Sequence, residues 1–192
     1  MIKFVEMIVC LHMADYNLQR FLKWFLLVWA ALLTAAGLWA QTPGYDPDMT
    51  YATELLKPGV LAPDFTLEDL NGHAVNLKDF RNRTTVLIFW ASWCPDCRAE
   101  VPLLREMYAS SDPSKVVFVS VSFDRDKEVL KAYANENALP GVQLFDPAGK
   151  KKSKVAEAYH VKWIPSLYLI DANGKILLST VVADKVSTIL KD

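Results

Sequence analysis

Apolar and polar positions along the chain sort into a short series of elements, and one stretch sets the frame. Val86 to Trp90 is an apolar, partly β-branched run without a polar break, which predicts a strand buried on both faces. Lys115 to Phe123 reads as a second buried strand, and Leu139 to Phe145 as a short strand or extended segment. Between them, Asp124 to Asn137 reads as a polar-faced helix. Upstream, Ala62 to Leu67 and His73 to Leu77 flank Asn71-Gly72, a tight-turn signal that predicts a β-hairpin. A helix is expected directly after Trp93, kinked by its interior Pro102. Downstream, Pro165 leads into a strand ending at Ile170, Asp171 to Gly174 closes a last hairpin, and Ala183 to Lys191 forms a short final helix. This alternation of β and α units predicts an α/β domain around a mostly parallel sheet.

The N-terminal pattern is of another kind. Arg20 and Lys23 precede an apolar run from Trp24 to Ala36, followed by Gly37-Leu38-Trp39-Ala40-Gln41, the order of an export signal with cleavage after Ala40. Leu38 is bulky for its place before the cut, and the run through Ala40 approaches the roughly 17 residues of the shortest membrane spans, so a retained anchor over residues 24–40 is the alternative. Met13 is an alternative start, and Cys10, with no small residues before it, is incidental rather than a lipid anchor. Thr42 to Pro58 is polar and proline-containing and reads as a linker. The expected layout is an export segment over 1–40, a linker over 41–58 and one domain over 59–192.

Composition narrows the picture. The 192 residues carry a formal net charge of -1 and a pI near 6.3, which excludes a strongly basic nucleic-acid binder. Cleavage after Ala40 leaves about 152 residues, enough for one well-buried domain, with Cys94 and Cys97 as its only cysteines. An exported chain with one thiol pair has no structural disulfide framework, so the pair is there to be cycled.

The spacing Cys94-Pro95-Asp96-Cys97 then carries the chemistry. Cys94 falls at the helix N-terminus, where unpaired N–H groups and the helix dipole favour a thiolate, which makes it the nucleophile. Cys97 lies one turn inward on the same face, close enough to form a disulfide with Cys94, and is the resolving thiol. Pro95 suits the first helical turn, while the Asp96 charge opposes a thiolate, so a reducing or middling couple is expected. A zinc site needs a second Cys-x-x-Cys or a histidine pair at ligand spacing, and neither is present. His73 adjoins a turn and reads as solvated. The lysines of Asp146 to Lys154 read as a solvated loop, and a copper site joining His160 to the cysteines is a remote alternative.

The run Phe89 to Pro102, FWASWCPDCRAEVP, resembles the active-site signature of thioredoxin-like proteins, in particular the TlpA/ResA-like exported thiol-disulfide oxidoreductases. The resemblance extends from about Val60 to the C-terminus. It implies a thioredoxin-like fold with a central mixed sheet flanked by helices and an added N-terminal β-hairpin, and a Cys94/Cys97 dithiol-disulfide cycle without a cofactor. It further implies a cis Ile164–Pro165 bond facing the cysteines, with Trp93, Pro95, Trp163, Ile164 and Pro165 forming the substrate surface. Disulfide-containing client proteins and a membrane electron donor are the implied partners, and the periplasm the implied compartment. Thioredoxin carries a buried aspartate six residues before its first cysteine, but Ile88 stands there in this chain. Glu100 matches the glutamate of the family's Cys-x-x-Glu-x-Pro pattern and is expected to move the Cys97 proton instead. Two alternatives remain at this point: a thiol peroxidase, although Ala91 occupies the position where peroxiredoxins place threonine, and a Cu(I)-binding chaperone.

Overall fold

The computed structural model of the protein describes residues 45–191. The expected export segment, Met13, Cys10 and the proposed cleavage point at Ala40 lie outside these residues. In chain order the elements are α1 (Asp48–Tyr51), β1 (Thr66–Asp69), β2 (Ala74–Asn76), a 3-10 turn (Leu77–Phe80), β3 (Thr84–Trp90), α2 (Pro95–Ser110) and β4 (Val116–Ser122). They continue with α3 (Lys127–Glu136), β5 (Val142–Phe145), α4 (Gly149–Lys152), α5 (Lys154–Ala158), β6 (Ser166–Ile170), β7 (Ile176–Thr180) and α6 (Ala183–Lys191).

Seven strands form one sheet in the order β2-β1-β5-β4-β3-β6-β7. Parallel pairing is confined to β3 with β4 and β4 with β5. The flanks are antiparallel, β1 with β2 and β5 on one side and β6 with β3 and β7 on the other, so the sheet is mixed rather than mostly parallel. Short connections explain the difference: β6 and β7 are joined through Asp171 to Gly174, and a turn that tight can only return the chain antiparallel. β3 and β4 lie at the centre, and Val86 to Trp90 is buried throughout, as a run apolar on both faces requires. α2 turns Cys97, Val101, Leu104 and Met107 inward, a stripe at helical spacing. Pro102 removes one rung from its hydrogen-bond ladder, yet the helix runs on to Ser110.

Two stretches differ from the sequence reading. Asp146 to Lys154 is not only a loop: Gly149–Lys152 makes a helical turn, α4, and Ser153 caps α5 by accepting from the Ala156 N–H. More consequential, the expected linker packs onto the domain from Asp46 onward. Ala52 and Leu55 are buried in the core, and the Asp48 carboxyl accepts from the Val181 N–H at 2.7 Å and from the Thr180 hydroxyl. The buried Tyr168 hydroxyl accepts from the Leu56 N–H at 3.2 Å and donates to the Tyr159 carbonyl. The contacts of Asp48 and Leu56 join residues more than a hundred positions apart, so local polarity gave no sign of them.

Candidate active site

The end of β3 delivers the cysteines, and a buried carboxyl group fixes the delivery. Beyond Trp90 the chain leaves the sheet, and the Ser92 N–H and hydroxyl both donate to Asp124, which follows β4. The Ser122 hydroxyl donates to the same carboxyl at 2.7 Å. Held there, the loop turns through a Cys94 N–H to Ala91 carbonyl bond of 3.1 Å and enters α2.

Cys94 is the residue immediately before α2, as the spacing predicts, and its sulfur accepts from the Cys97 N–H at 3.4 Å. The same sulfur lies 3.5 Å from the Ile164 carbonyl oxygen, to which its S–H can donate. Both cysteines are free thiols; Cys94 retains 5 % exposure and Cys97 2 %. Burial pushes the Cys97 thiol far above the ordinary thiol range, and its hydrogen bond to Cys94 and the charges of Cys94 and Asp96 push the same way. Cys94 thus stands at the helix start and Cys97 one turn inside it, where burial favours the protonated thiol.

The Ile164–Pro165 peptide is cis. The residues expected to form a substrate surface divide. Trp93 and Trp163 are 55 % and 39 % exposed, and Pro95 is exposed beside them in the sequence motif. Ile164 and Pro165 are buried, and Ile164 presents its carbonyl oxygen to the Cys94 sulfur. Tyr51 stacks on Trp163, with ring centroids 4.3 Å apart. It lies in the segment read as a linker, which is why the sequence did not suggest it.

Glu100 lines a narrow cleft together with Cys97, Trp90, Ser120, Gln143 and Pro165. Partial burial raises its carboxyl above the usual carboxylate range; the Ala183 N–H at the start of α6 counteracts this in part, and Asp184 adds to it. Ile88 lines the cleft as well, leaving Glu100 as the carboxyl group on this side of Cys97 among the cleft residues. Two members of this site, Asp124 and Gln143, escaped the sequence reading. An acidic residue at the C-terminal end of the strand beside the cysteine strand was a usable sign for Asp124. Nothing in the sequence marked Gln143.

The two histidines among the described residues stand apart from this chemistry. The His73 ring is exposed and bonds Asp69 at 3.1 Å, and the His160 ring lies 3.1 Å from the Glu54 carbonyl. Among the described residues no three His, Cys, Asp or Glu side chains converge as a metal site would require.

A dithiol at a helix start, facing a cis-proline loop on a mixed sheet with helices, defines a thioredoxin-like protein of the thiol-disulfide oxidoreductase class. The chain belongs to the AhpC/TSA family, which it matches over residues 58–179. It is 33 % identical over 118 residues to the thiol-disulfide oxidoreductase ResA of Geobacillus kaustophilus, an alignment covering 62 % of this chain and 66 % of that relative, just under two thirds. Among solved structures, the thioredoxin domain of a thiol-disulfide oxidoreductase from Bacteroides vulgatus superposes with a TM-score of 0.65 at 29 % identity, covering 71 % of this chain and 96 % of that one. A secreted Mycobacterium tuberculosis disulfide oxidoreductase, homologous to Escherichia coli DsbE, gives a TM-score of 0.57 at 26 % identity over 66 % of this chain and 94 % of that one.

Proposed function

We propose that this protein reduces disulfide bonds of client proteins outside the cytoplasm through a Cys94/Cys97 dithiol-disulfide cycle. The observation that carries the reading is the setting of the Cys94 sulfur between the Cys97 N–H and the Ile164 carbonyl. A client strand laid along the Ile164 backbone brings its disulfide to that sulfur, and Trp93, Pro95 and Trp163 offer it apolar contact. The Cys94 thiolate attacks one client sulfur, the client S–S bond breaks, and the other client sulfur leaves with the electron pair and takes up a proton. Cys97 then gives up its proton and attacks Cys94, expelling the second client thiol and leaving Cys94–Cys97 oxidised. Two electrons have passed to the client.

One feature favours a reductant over an oxidant. Burial keeps Cys97 protonated, and the Asp96 charge adds to this, so Cys97 lends the reduced pair no thiolate stabilisation. Glu100 is the proton acceptor for Cys97: its raised carboxyl lies closer to the thiol's own range than an ordinary glutamate would. Re-reduction in an oxidising compartment calls for a membrane electron donor. Residues 1–40 export the chain, with cleavage after Ala40 or retention as an anchor, and the secreted Mycobacterium relative supports that placement. No helix among the described residues is long and apolar enough to cross a membrane.

The test is a Cys97→Ser variant expressed with its own N-terminal segment. Client proteins should accumulate as mixed disulfides through Cys94 in the exported fraction. Recovery of none, or adducts confined to the cytoplasm, would overturn the reading. Hydrogen peroxide consumption at rates rivalling disulfide reduction would favour the peroxidase instead.

A further inference from the structure

Five lysines precede the cis-proline loop in close succession: Lys150, Lys151 and Lys152 of α4, Lys154 of α5, and Lys162, two residues before Ile164. Glu157 of α5 is the one acidic residue between Gly149 and Trp163. The whole chain carries a net charge of -1, so this excess of cations is local and the rest of the sequence is acidic on balance.

The fold turns the succession into a surface. α4 and α5 meet at Ser153, and the Lys150 ammonium donates to the Lys162 carbonyl oxygen at 2.7 Å, which ties α4 to the residues leading into Trp163. Between them lies an open hollow of about 450 Å³, within the size range of ordinary binding clefts. Lys150, Lys151, Lys152 and Lys162 stand around it with Glu157, and the buried Ala156 and Val161 line it as well. Five lysines elsewhere have acidic partners: Lys78, Lys127 and Lys185 within 3.0 Å, and Lys115 and Lys191 at 3.9 Å. Among the described residues, none of the five lysines between 150 and 162 has a carboxylate within that reach. One exposed ion pair contributes little, but several cations around one hollow act together and raise the local concentration of an opposite charge.

Position decides which anion. Lys162 is followed directly by the exposed Trp163 and then by Ile164, whose carbonyl oxygen lies 3.5 Å from the Cys94 sulfur. One end of a client strand laid along Ile164 therefore passes Lys162 within a few residues of its cysteine. We infer that the hollow formed by α4, α5 and Lys162 is a docking surface for acidic side chains that flank the disulfide of a client polypeptide. The inference rests on the reductase reading and adds to it the class of client preferred, segments carrying Asp or Glu beside the cystine. Ammonium groups suit this occupant, since each has three donors, and Lys150 keeps two after its bond to the Lys162 carbonyl. The surface acts on encounter and binding, not on sulfur exchange itself, so its effect depends on salt.

The test uses the full chain carrying Cys97→Ser, in which attack by Cys94 stops at the mixed disulfide. Its substrates are two disulfide-linked peptide dimers that differ only in having glutamates or lysines around the cysteine. Acid quenching and mass spectrometry read the initial rate of each adduct. At about 10 mM salt, where charges act over roughly 30 Å, the acidic peptide should react about tenfold faster than the basic one. At about 1 M salt, with screening over roughly 3 Å, the two rates should converge. Lys151→Glu, Lys152→Glu and Lys162→Glu combined should invert the preference, a change of sign that loss of fold cannot produce. Equal rates for the two peptides at low salt, or a preference that the three reversals leave in place, overturn the docking surface. Adducts with neither peptide overturn the thiol-disulfide reading itself, and the client surface with it. Vesicles of phosphatidylglycerol and phosphatidylcholine test the other anionic occupant. Weaker vesicle binding by the reversed chain, with the peptide preference unchanged, assigns the lysines to a membrane surface and overturns the client.

Discussion

Asp124 and Ser92 are 32 residues apart in the chain, yet the Asp124 carboxyl takes both the N–H and the hydroxyl of Ser92, the latter at 2.7 Å. This bond ties the loop that delivers Cys94 to the end of the neighbouring strand. In Asp124→Ala the Ser92 N–H and two hydroxyls lose a buried acceptor, so stability should fall by about 3 kcal/mol at the 1–3 kcal/mol per orphaned group expected of buried donors. Denaturant unfolding measures that loss. Attack by Cys94 on a small aromatic disulfide should slow as well, because the loop is no longer held; an unchanged rate would confine Asp124 to stability.

The two thiols should differ in reactivity. Cys94→Ser should abolish disulfide reduction in an insulin precipitation assay, and Cys97→Ser should retain attack but stall at the mixed disulfide. Mass-mapped alkylation at neutral pH should modify Cys94 ahead of Cys97, whose thiol burial keeps protonated. Equal modification of both would contradict the division of labour.

Glu100 sets a pH dependence with a definite sign. Its carboxyl is raised in the folded protein, so between the ordinary glutamate range and the raised value the folded state binds more protons than the unfolded, and stability falls as pH rises through that window. Glu100→Gln should therefore be more stable than wild type at neutral pH, and should lose this advantage below the ordinary glutamate range. In kinetics the proton-accepting form is the carboxylate, so the rate of resolution should climb as pH rises through the raised value. The substitution should remove that limb and slow resolution by about 10²-fold. Thermal melts and single-turnover rates, taken from acid to alkaline pH, read both effects.

The docked segment around α1 should respond to both ends of the pH scale. Asp46 is lowered by its bond from Lys185 and the Asp48 N–H, and Lys185 is raised by its bonds to Asp46 and Asp48. The Asp46 contribution is present above the ordinary aspartate range and is lost as pH falls through its lowered value. The Lys185 contribution is present below the ordinary lysine range and is lost as pH rises through its raised value. Hydrogen exchange at Ala52 to Leu56 should accelerate in Lys185→Met at neutral pH, with the Cys94 attack rate unchanged.

Gly141 tests the wall of the cleft. Its φ is +75°, and a Cβ there would meet the Phe118 carbonyl oxygen at 2.2 Å and the Phe118 Cβ at 2.7 Å. Gly141→Ala combines a left-handed backbone with a backbone collision next to Pro140 and Val142, and should cost about 3 kcal/mol or more in denaturant unfolding. Full stability would mean that β5 can move away from β4.

The division between what the sequence determined and what folding decided follows the range of the interactions. Val86 to Trp90, Cys94 before the helix, Cys97 one turn inward and the closing α6 were all legible, because burial of a two-faced strand and the start of a helix are properties of neighbouring residues. Glu100 was visible as a candidate because helical geometry places a residue three positions on beside Cys97. What surrounds it was not: the apolar cleft, the Ala183 N–H and the Asp184 charge come from strands and a helix far along the chain. The docking of Asp46 to Pro58, the anchoring of Ser92 by Asp124 and the sharing of one cleft by Trp90 and Gln143 likewise bring distant segments together. A periodic pattern states which face of an element is apolar. Only the sheet order states which faces meet, and therefore which polar atoms are shut in beside the reactive thiol.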